Sequence, residues 1–135
     1  MVTLNPYLSF RDNARTPLEH YQRVLGGSLD ISTFNSMPDM GYDPAEGRLV
    51  MHGQLTTDDG MVLMASDTPS GMEYREPQGI SVSLSGSESE RLHGVWDALS
   101  DGASVAVPLS PAPWGGEFGM LTDRFGISWL VAIDD

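Results

Sequence analysis

Apolar residues spaced three and four apart mark two stretches of the chain as helices with one buried face. In the first, residues 17–25, Leu18, Tyr21 and Leu25 share a stripe. Thr16, three residues ahead of Glu19, fits a capping box, and Pro17 suits a first helical position, where its missing N–H costs nothing. Gly26 and Gly27 supply the stop. The second, residues 88–99, repeats each feature: Ser87 and Glu90 as the cap, Leu92, Val95, Trp96 and Leu99 as the stripe, and Gly102 as the stop.

The flanks repeat as well. A short alternating run precedes each helix, residues 5–10 and then 79–84, and three strand-like runs follow each. These are residues 29–34, 49–57 and 61–66 in the first half, and 105–109, 118–123 and 127–133 in the second. The last two runs of each half are joined by hairpin signals, Asp58-Asp59-Gly60 and Asp123-Arg124-Phe125-Gly126. The order β-α-β-β-β therefore occurs twice, in modules of about 3–67 and 79–133 within a single α+β domain, 1–135. Residues 67–78, with two prolines, a glycine and no periodicity, read as the linker. Residues 35–47, rich in Met, Pro, Gly and Asp, read either as a lid over a site or as a surface excursion.

Period-two alternation sets Val50, His52, Gln54 and Thr56 on one strand face, against Leu49, Met51, Gly53 and Leu55 on the other. The second set suits packing against a helix. His52 and Gln54 are then expected on the opposite face, where a histidine titrating near neutral pH serves as hydrogen-bonding group or general base. The plainer alternative is a solvated strand histidine. His20 and His93 fall in the helices and are read as surface or packing residues.

Composition narrows the chemistry. At 135 residues, 40% hydrophobic and 19% charged, the chain is sized and composed for one globular core. It has no apolar run near the ~20 residues of a membrane helix. The start, Met1-Val2-Thr3-Leu4-Asn5-Pro6, lacks a basic, apolar leader, so the expected compartment is the cytoplasm. Cysteine and lysine are both absent, which excludes disulfides, thiolate nucleophiles and Schiff-base chemistry. A net charge of −12 disfavours nucleic acid and tolerates a cationic small molecule.

Four stretches resemble a known family. They are Asn5-Pro6-Tyr7-Leu8 with His20-Tyr21-Gln22-Arg23-Val24-Leu25-Gly26-Gly27, then Val62-Leu63-Met64-Ala65-Ser66-Asp67, and above all the run from Trp114-Gly115-Gly116-Glu117-Phe118 through Trp129. The chain is similar, in order and over its length, to the PhnB-like branch of the vicinal-oxygen-chelate superfamily. That superfamily holds glyoxalase I, extradiol dioxygenases and bleomycin-resistance proteins. The resemblance implies two βαβββ modules in a cupped, mostly antiparallel sheet with helices outside, a ligand cavity within, and a homodimer. It implies no single reaction. Some relatives are labelled ubiquinone-pathway methyltransferases, but no glycine-rich nucleotide-binding loop follows a strand here.

Metal-dependent relatives hold their ion from four cavity-facing strand positions. Aligned on the helix stops and hairpins, those positions here are Asn5, Met64, Gly79 and Leu130, of which only Asn5 offers even a weak ligand. No metal and no cofactor are therefore expected. The expected function is binding of a small, partly apolar molecule in the cavity. The candidate contacts are Asn5, Tyr7, His52, Gln54, Met64, Trp114 and Glu117. Glu117 beside an indole is a candidate acid or base, or else an exposed turn carboxylate. The eight methionines, Met37, Met40, Met51 and Met64 among them, fit an adaptable lining or ordinary core. The competing expectation is a small lyase or isomerase using His52 or Glu117, or a metal enzyme with its ligands elsewhere.

Overall fold

The computed structural model describes residues 1–36 and 43–135. Residues 37–42, Met37 and Met40 among them, lie outside the described residues, and the reading of 35–47 as a lid falls there too. The chain divides into two compact units, Met1–Glu76 and Pro77–Asp135. Among the described residues no helix is long and apolar enough to cross a membrane.

The first unit contains β1 (Tyr7–Phe10), α1 (Arg15–Leu25), β2 (Ser28–Thr33), β3 (Val50–Thr56) and β4 (Val62–Asp67). Its sheet runs β1-β4-β3-β2, with β1 parallel to β4 and the other pairs antiparallel. The second unit contains β5 (Val82–Gly86), α2 (Ser89–Ser100), β6 (Ser104–Pro111), β7 (Glu117–Thr122) and β8 (Ser128–Ile133). Its sheet order, β5-β8-β7-β6, repeats the first with the same sense in every pair. This is the expected β-α-β-β-β order, twice, in an α+β architecture.

Each helix lies on one face of its own sheet, and a mid-strand glycine makes room for it. A Cβ on Gly53 in β3 would meet Leu18 Cδ1 of α1 at 2.4 Å. One on Gly119 in β7 would meet the Trp96 ring of α2 at 2.7 Å. Around these contacts Leu18, Tyr21, Leu55 and Ala65 are buried in the first unit, and Leu92, Trp96, Leu99, Trp129 and Val131 in the second. Among the described residues, the opposite face of each sheet carries no α-helix.

Both helix starts differ from the capping boxes expected. Helix α1 opens two residues early, and the Thr16 hydroxyl donates to Asn13 Oδ1 at 3.0 Å rather than capping the helix. Pro17 still falls in the first turn, where N–H groups have no helical partner. An N–H just ahead of the helix, that of Ala14, donates instead to Asp67 Oδ1 from the end of β4, at 2.7 Å. Helix α2 starts after Glu88 with no side-chain cap; Ser87 bonds Glu88 itself at 3.3 Å.

Candidate functional site

The open face of the first sheet is built by register. Tyr7 stands beside Met64, Met64 beside Gln54, and Gln54 beside Asp30, making one row across all four strands. Leu8 and Phe10, of opposite parity, are buried against the helix side, so Tyr7 and Ser9 point away from it.

His52 keeps this face by ordinary alternation with Gln54, and a bulge follows immediately beyond it. The pairing slips between Ser32 and Thr33: Ser32 opposes His52, but Thr33 opposes Val50. Met51 is the extra residue. Val50 is thereby turned into the core, at 1% exposure, and does not share a face with His52 as strict alternation predicted. His52, Gln54 and Thr56 stay together on the open side, half-exposed.

Tyr7 leans over β4 to meet His52. The phenol oxygen and His52 Nδ1 are 3.0 Å apart, and the ring centroids 5.6 Å, tilted at 33°. The imidazole tautomer decides which atom donates. If the phenol donates, His52 keeps an Nε2–H for a ligand; if Nδ1 donates, the phenol O–H is free instead. In both tautomers the pair offers the face one donor and one acceptor. Gln54 adds an amide, itself held by Nε2 donating to Thr56 Oγ1 at 3.3 Å.

Other expected residues sit elsewhere. Asn5 precedes β1, and its amide donates to Thr3 Oγ1 at 2.9 Å. Gly79 precedes β5 at φ 82° and is not a strand position. The register places Tyr7, not Asn5, beside Met64, and Ser83, not Gly79, beside Leu130. A phenol beside a thioether, and a hydroxyl beside an aliphatic chain, remain a poor donor set for a divalent ion. Among the described residues no group of three or more His, Asp or Glu side chains is placed to hold a metal.

Glu117 points to the helix side. Its Oε1 accepts from His93 Nε2 of α2 at 3.1 Å, while His93 Nδ1 lies 2.8 Å from the Ser89 carbonyl. It is therefore placed to pin α2 to β7, not to act on the open face. Trp114 is exposed at 72%, on the turn between β6 and β7, edge-on to Phe118 with centroids 5.5 Å apart.

Alternation had not drawn attention to two buried carboxylates. Asp67 accepts from Ala14 N–H and from Val50 N–H at 2.9 Å; Asp123 accepts from Phe125 N–H, Ile127 N–H and Trp129 Nε1–H. Asp67 shares parity with Leu63 and Ala65, and Asp123 with Leu121, which was a usable signal for inward-facing acids.

A family model described as 3-demethylubiquinone-9 3-methyltransferase matches residues 3–132. The chain belongs to that family. Protein YjdN of Escherichia coli K12 is 26% identical over 142 residues, covering 98% of this chain and 95% of YjdN. Protein PA1353 of Pseudomonas aeruginosa, a crystal structure, is 33% identical with a TM-score of 0.86, covering 99% of this chain and 98% of its own. A Bacillus cereus PhnB protein described as a putative 3-demethylubiquinone-9 3-methyltransferase shares the fold at 21% identity and TM-score 0.77, over 98% and 99% of the two chains. So does a Frankia glyoxylase/bleomycin resistance protein/dioxygenase domain, at 14% identity and TM-score 0.62 over 100% and 98%. The glyoxalase/bleomycin-resistance fold is thus that of this family member.

Proposed function

We propose that the chain binds a small, partly apolar molecule on the open face of its first sheet, with no resident divalent metal. The observation that carries this is the Tyr7–His52 hydrogen bond beside Met64 and Gln54. It fixes two polar side chains in advance on a face that, among the described residues, no α-helix covers, so little ordering cost remains for binding. Asp30 on the same row and the net charge of −12 favour a neutral or cationic guest over an anion.

Thermal-shift screening of the purified chain against a compound library tests this. A bound compound is expected to lose roughly tenfold or more in affinity in His52→Ala and a smaller factor in Tyr7→Phe. Equal affinity in both variants would remove the support for this face, and stoichiometric metal by elemental analysis would end the metal-free reading.

A second reading, a small lyase or isomerase with His52 as base, draws on the same hydrogen bond, since a phenol can fix the imidazole tautomer. Turnover of a bound compound, abolished in His52→Ala while binding persists, would favour it. Methyl transfer, the reaction in the family's description, draws less support. Helix α1 follows Arg11-Asp12-Asn13-Ala14 and α2 follows Gly86-Ser87-Glu88, neither a glycine-rich cofactor loop.

A further inference from the structure

On the helix side of the second unit, Glu117 belongs to a cluster that the first sheet does not share. His93 lies one turn along α2 from Ser89, so the two side chains are neighbours on the helix surface. The Ser89 hydroxyl oxygen and His93 Nδ1 are 3.2 Å apart. On the far side of the ring, Nε2 lies 3.1 Å from Glu117 Oε1 of β7. Hydroxyl, imidazole and carboxylate thus form one chain of contacts, wholly within Pro77–Asp135. A hydroxyl bonded to a base that a third group orients is the arrangement that activates a weak nucleophile.

The imidazole has two working states. Protonated, its Nδ1–H donates to the Ser89 carbonyl at 2.8 Å and its Nε2–H to Glu117. Neutral, it keeps Nε2–H on Glu117, and the Nδ1 lone pair accepts from the Ser89 hydroxyl. The neutral state is the one that can draw a proton from Oγ. The Ser89 carbonyl, then Glu117 and Asp97, favour the imidazolium and hold the His93 pKa above its ordinary value. An imidazolium is also what His93 becomes as Oγ attacks, so the same groups stabilise the transition state. Ser89 opens α2, and the Glu90 N–H beside it, in the first turn, has no partner within the helix. That N–H is available to the negative charge that develops on a carbonyl oxygen under attack.

We propose that Ser89, His93 and Glu117 form an esterase site for small, activated carboxylic esters that are neutral or cationic. Ser89 Oγ bonds to the ester carbonyl carbon while its proton passes to His93 Nδ1. The bond from that carbon to the alcohol oxygen then breaks, and the departing oxygen takes the proton from Nδ1. Water attacks the acyl-Ser89 ester and gives a proton to Nδ1. Oγ recovers that proton as the carboxylic acid leaves. Glu117 touches no substrate and is a positioning residue. Ser89 is exposed, which suits esters whose leaving group departs easily rather than amides. Glu88 and Glu90 flank it, so anionic esters are disfavoured. The site uses neither Tyr7 nor His52, so it stands or falls separately from the first sheet.

The test uses the full chain with 4-nitrophenyl acetate. Lacking lysine and cysteine, the chain has none of the side chains that most readily take an acetyl group from this ester. Release of 4-nitrophenolate is expected to saturate with ester and to exceed that given by free imidazole at the same concentration. Acid quenching is expected to trap the acetyl group on Ser89, read by fragmenting the tryptic peptide of residues 76–91. Ser89→Ala and His93→Gln should each lose at least roughly tenfold in rate with unchanged circular dichroism, while Ser87→Ala keeps the rate. The rate should climb with pH through the raised His93 pKa, and Glu117→Gln should move that midpoint to lower pH. Release no faster than with imidazole overturns the proposal, and so does release that survives Ser89→Ala or is lost instead in His52→Ala. An acetyl group found only on the Met1 amine or on another serine overturns it too. An unmoved midpoint in Glu117→Gln would refute the positioning role of Glu117.

Discussion

Asp67 shows how much one buried side chain can organise. Its two oxygens take the N–H ahead of α1 and the N–H that opens β3, joining helix, β3 and β4 in one contact. Removing it leaves two buried donors unsatisfied, each costing about 1–3 kcal/mol. Asp67→Ala is therefore expected to lower unfolding stability by about 3 kcal/mol, read as a fall in urea midpoint at unchanged slope. Burial, then the nearby Asp12, holds the carboxyl pKa above its ordinary value, against the pull of the Val50 and Ala14 N–H groups and Arg48. A carboxyl with a raised folded pKa contributes fully below its unfolded pKa and loses that contribution as pH rises through the folded value. The stability gap between wild type and Asp67→Asn should accordingly shrink from about pH 4 to pH 7; a gap that widens over that range would contradict the assignment.

At the scale of elements, the same periodicity that located the strands misplaced details wherever one residue broke phase. Leu49 to Leu55 alternates cleanly on paper, but the bulge at Met51 carries Val50 into the core and leaves His52 outside. No local signal marks that bulge, because it arises from how β2 pairs with β3. Both helices, all eight strands and both hairpin turns were legible, the helices and central strands because each buries one stripe, and the rest because glycines or turns bound them. The helix starts were not, because tertiary partners such as Asp67 replaced the local caps. Of the site, residue types were legible and contacts were not: Tyr7 and His52 lie 45 positions apart, and Glu117 was drawn to the helix side by His93. That last pair carries its own prediction. Both His93 ring nitrogens face acceptors, the Ser89 carbonyl and the Glu117 carboxylate, so the imidazolium satisfies both and the pKa is raised, chiefly by Ser89 and then by Glu117. A raised histidine contributes below its unfolded pKa of about 6.5 and loses that as pH climbs through the folded value. Melting temperatures should thus fall more between about pH 6 and pH 9 in wild type than in His93→Gln; parallel curves would show that the pair does not hold α2.

The whole chain sets solubility against exposed apolar surface. A net charge of −12 keeps molecules apart, yet β6 stands at a sheet edge with almost every residue exposed, including Val105 at 43% and Val107 at 38%. Pro108 and Pro111 on the same strand lack N–H groups, which obstructs continuation of the sheet by strand addition. The register shift between them turns the two valines to opposite faces, Val105 beside Leu121 and Val107 beside Met120, so side-chain contact along the β6 edge is the remaining way to cover them, and a second copy of the chain offers an identical edge. We propose a homodimer, in keeping with what the family resemblance implies. Sedimentation at micromolar concentration should give twice the chain mass, with the dimer weakened at high dilution. Val105→Asp places a carboxylate at that edge and should shift the particle to monomer, while a control such as Glu73→Gln, on the exposed segment after β4, leaves it dimeric. A wild-type monomer under these conditions, or a Val105→Asp chain that folds and still dimerises, would mean that the β6 valines face solvent and that the interface, if any, is built from another surface.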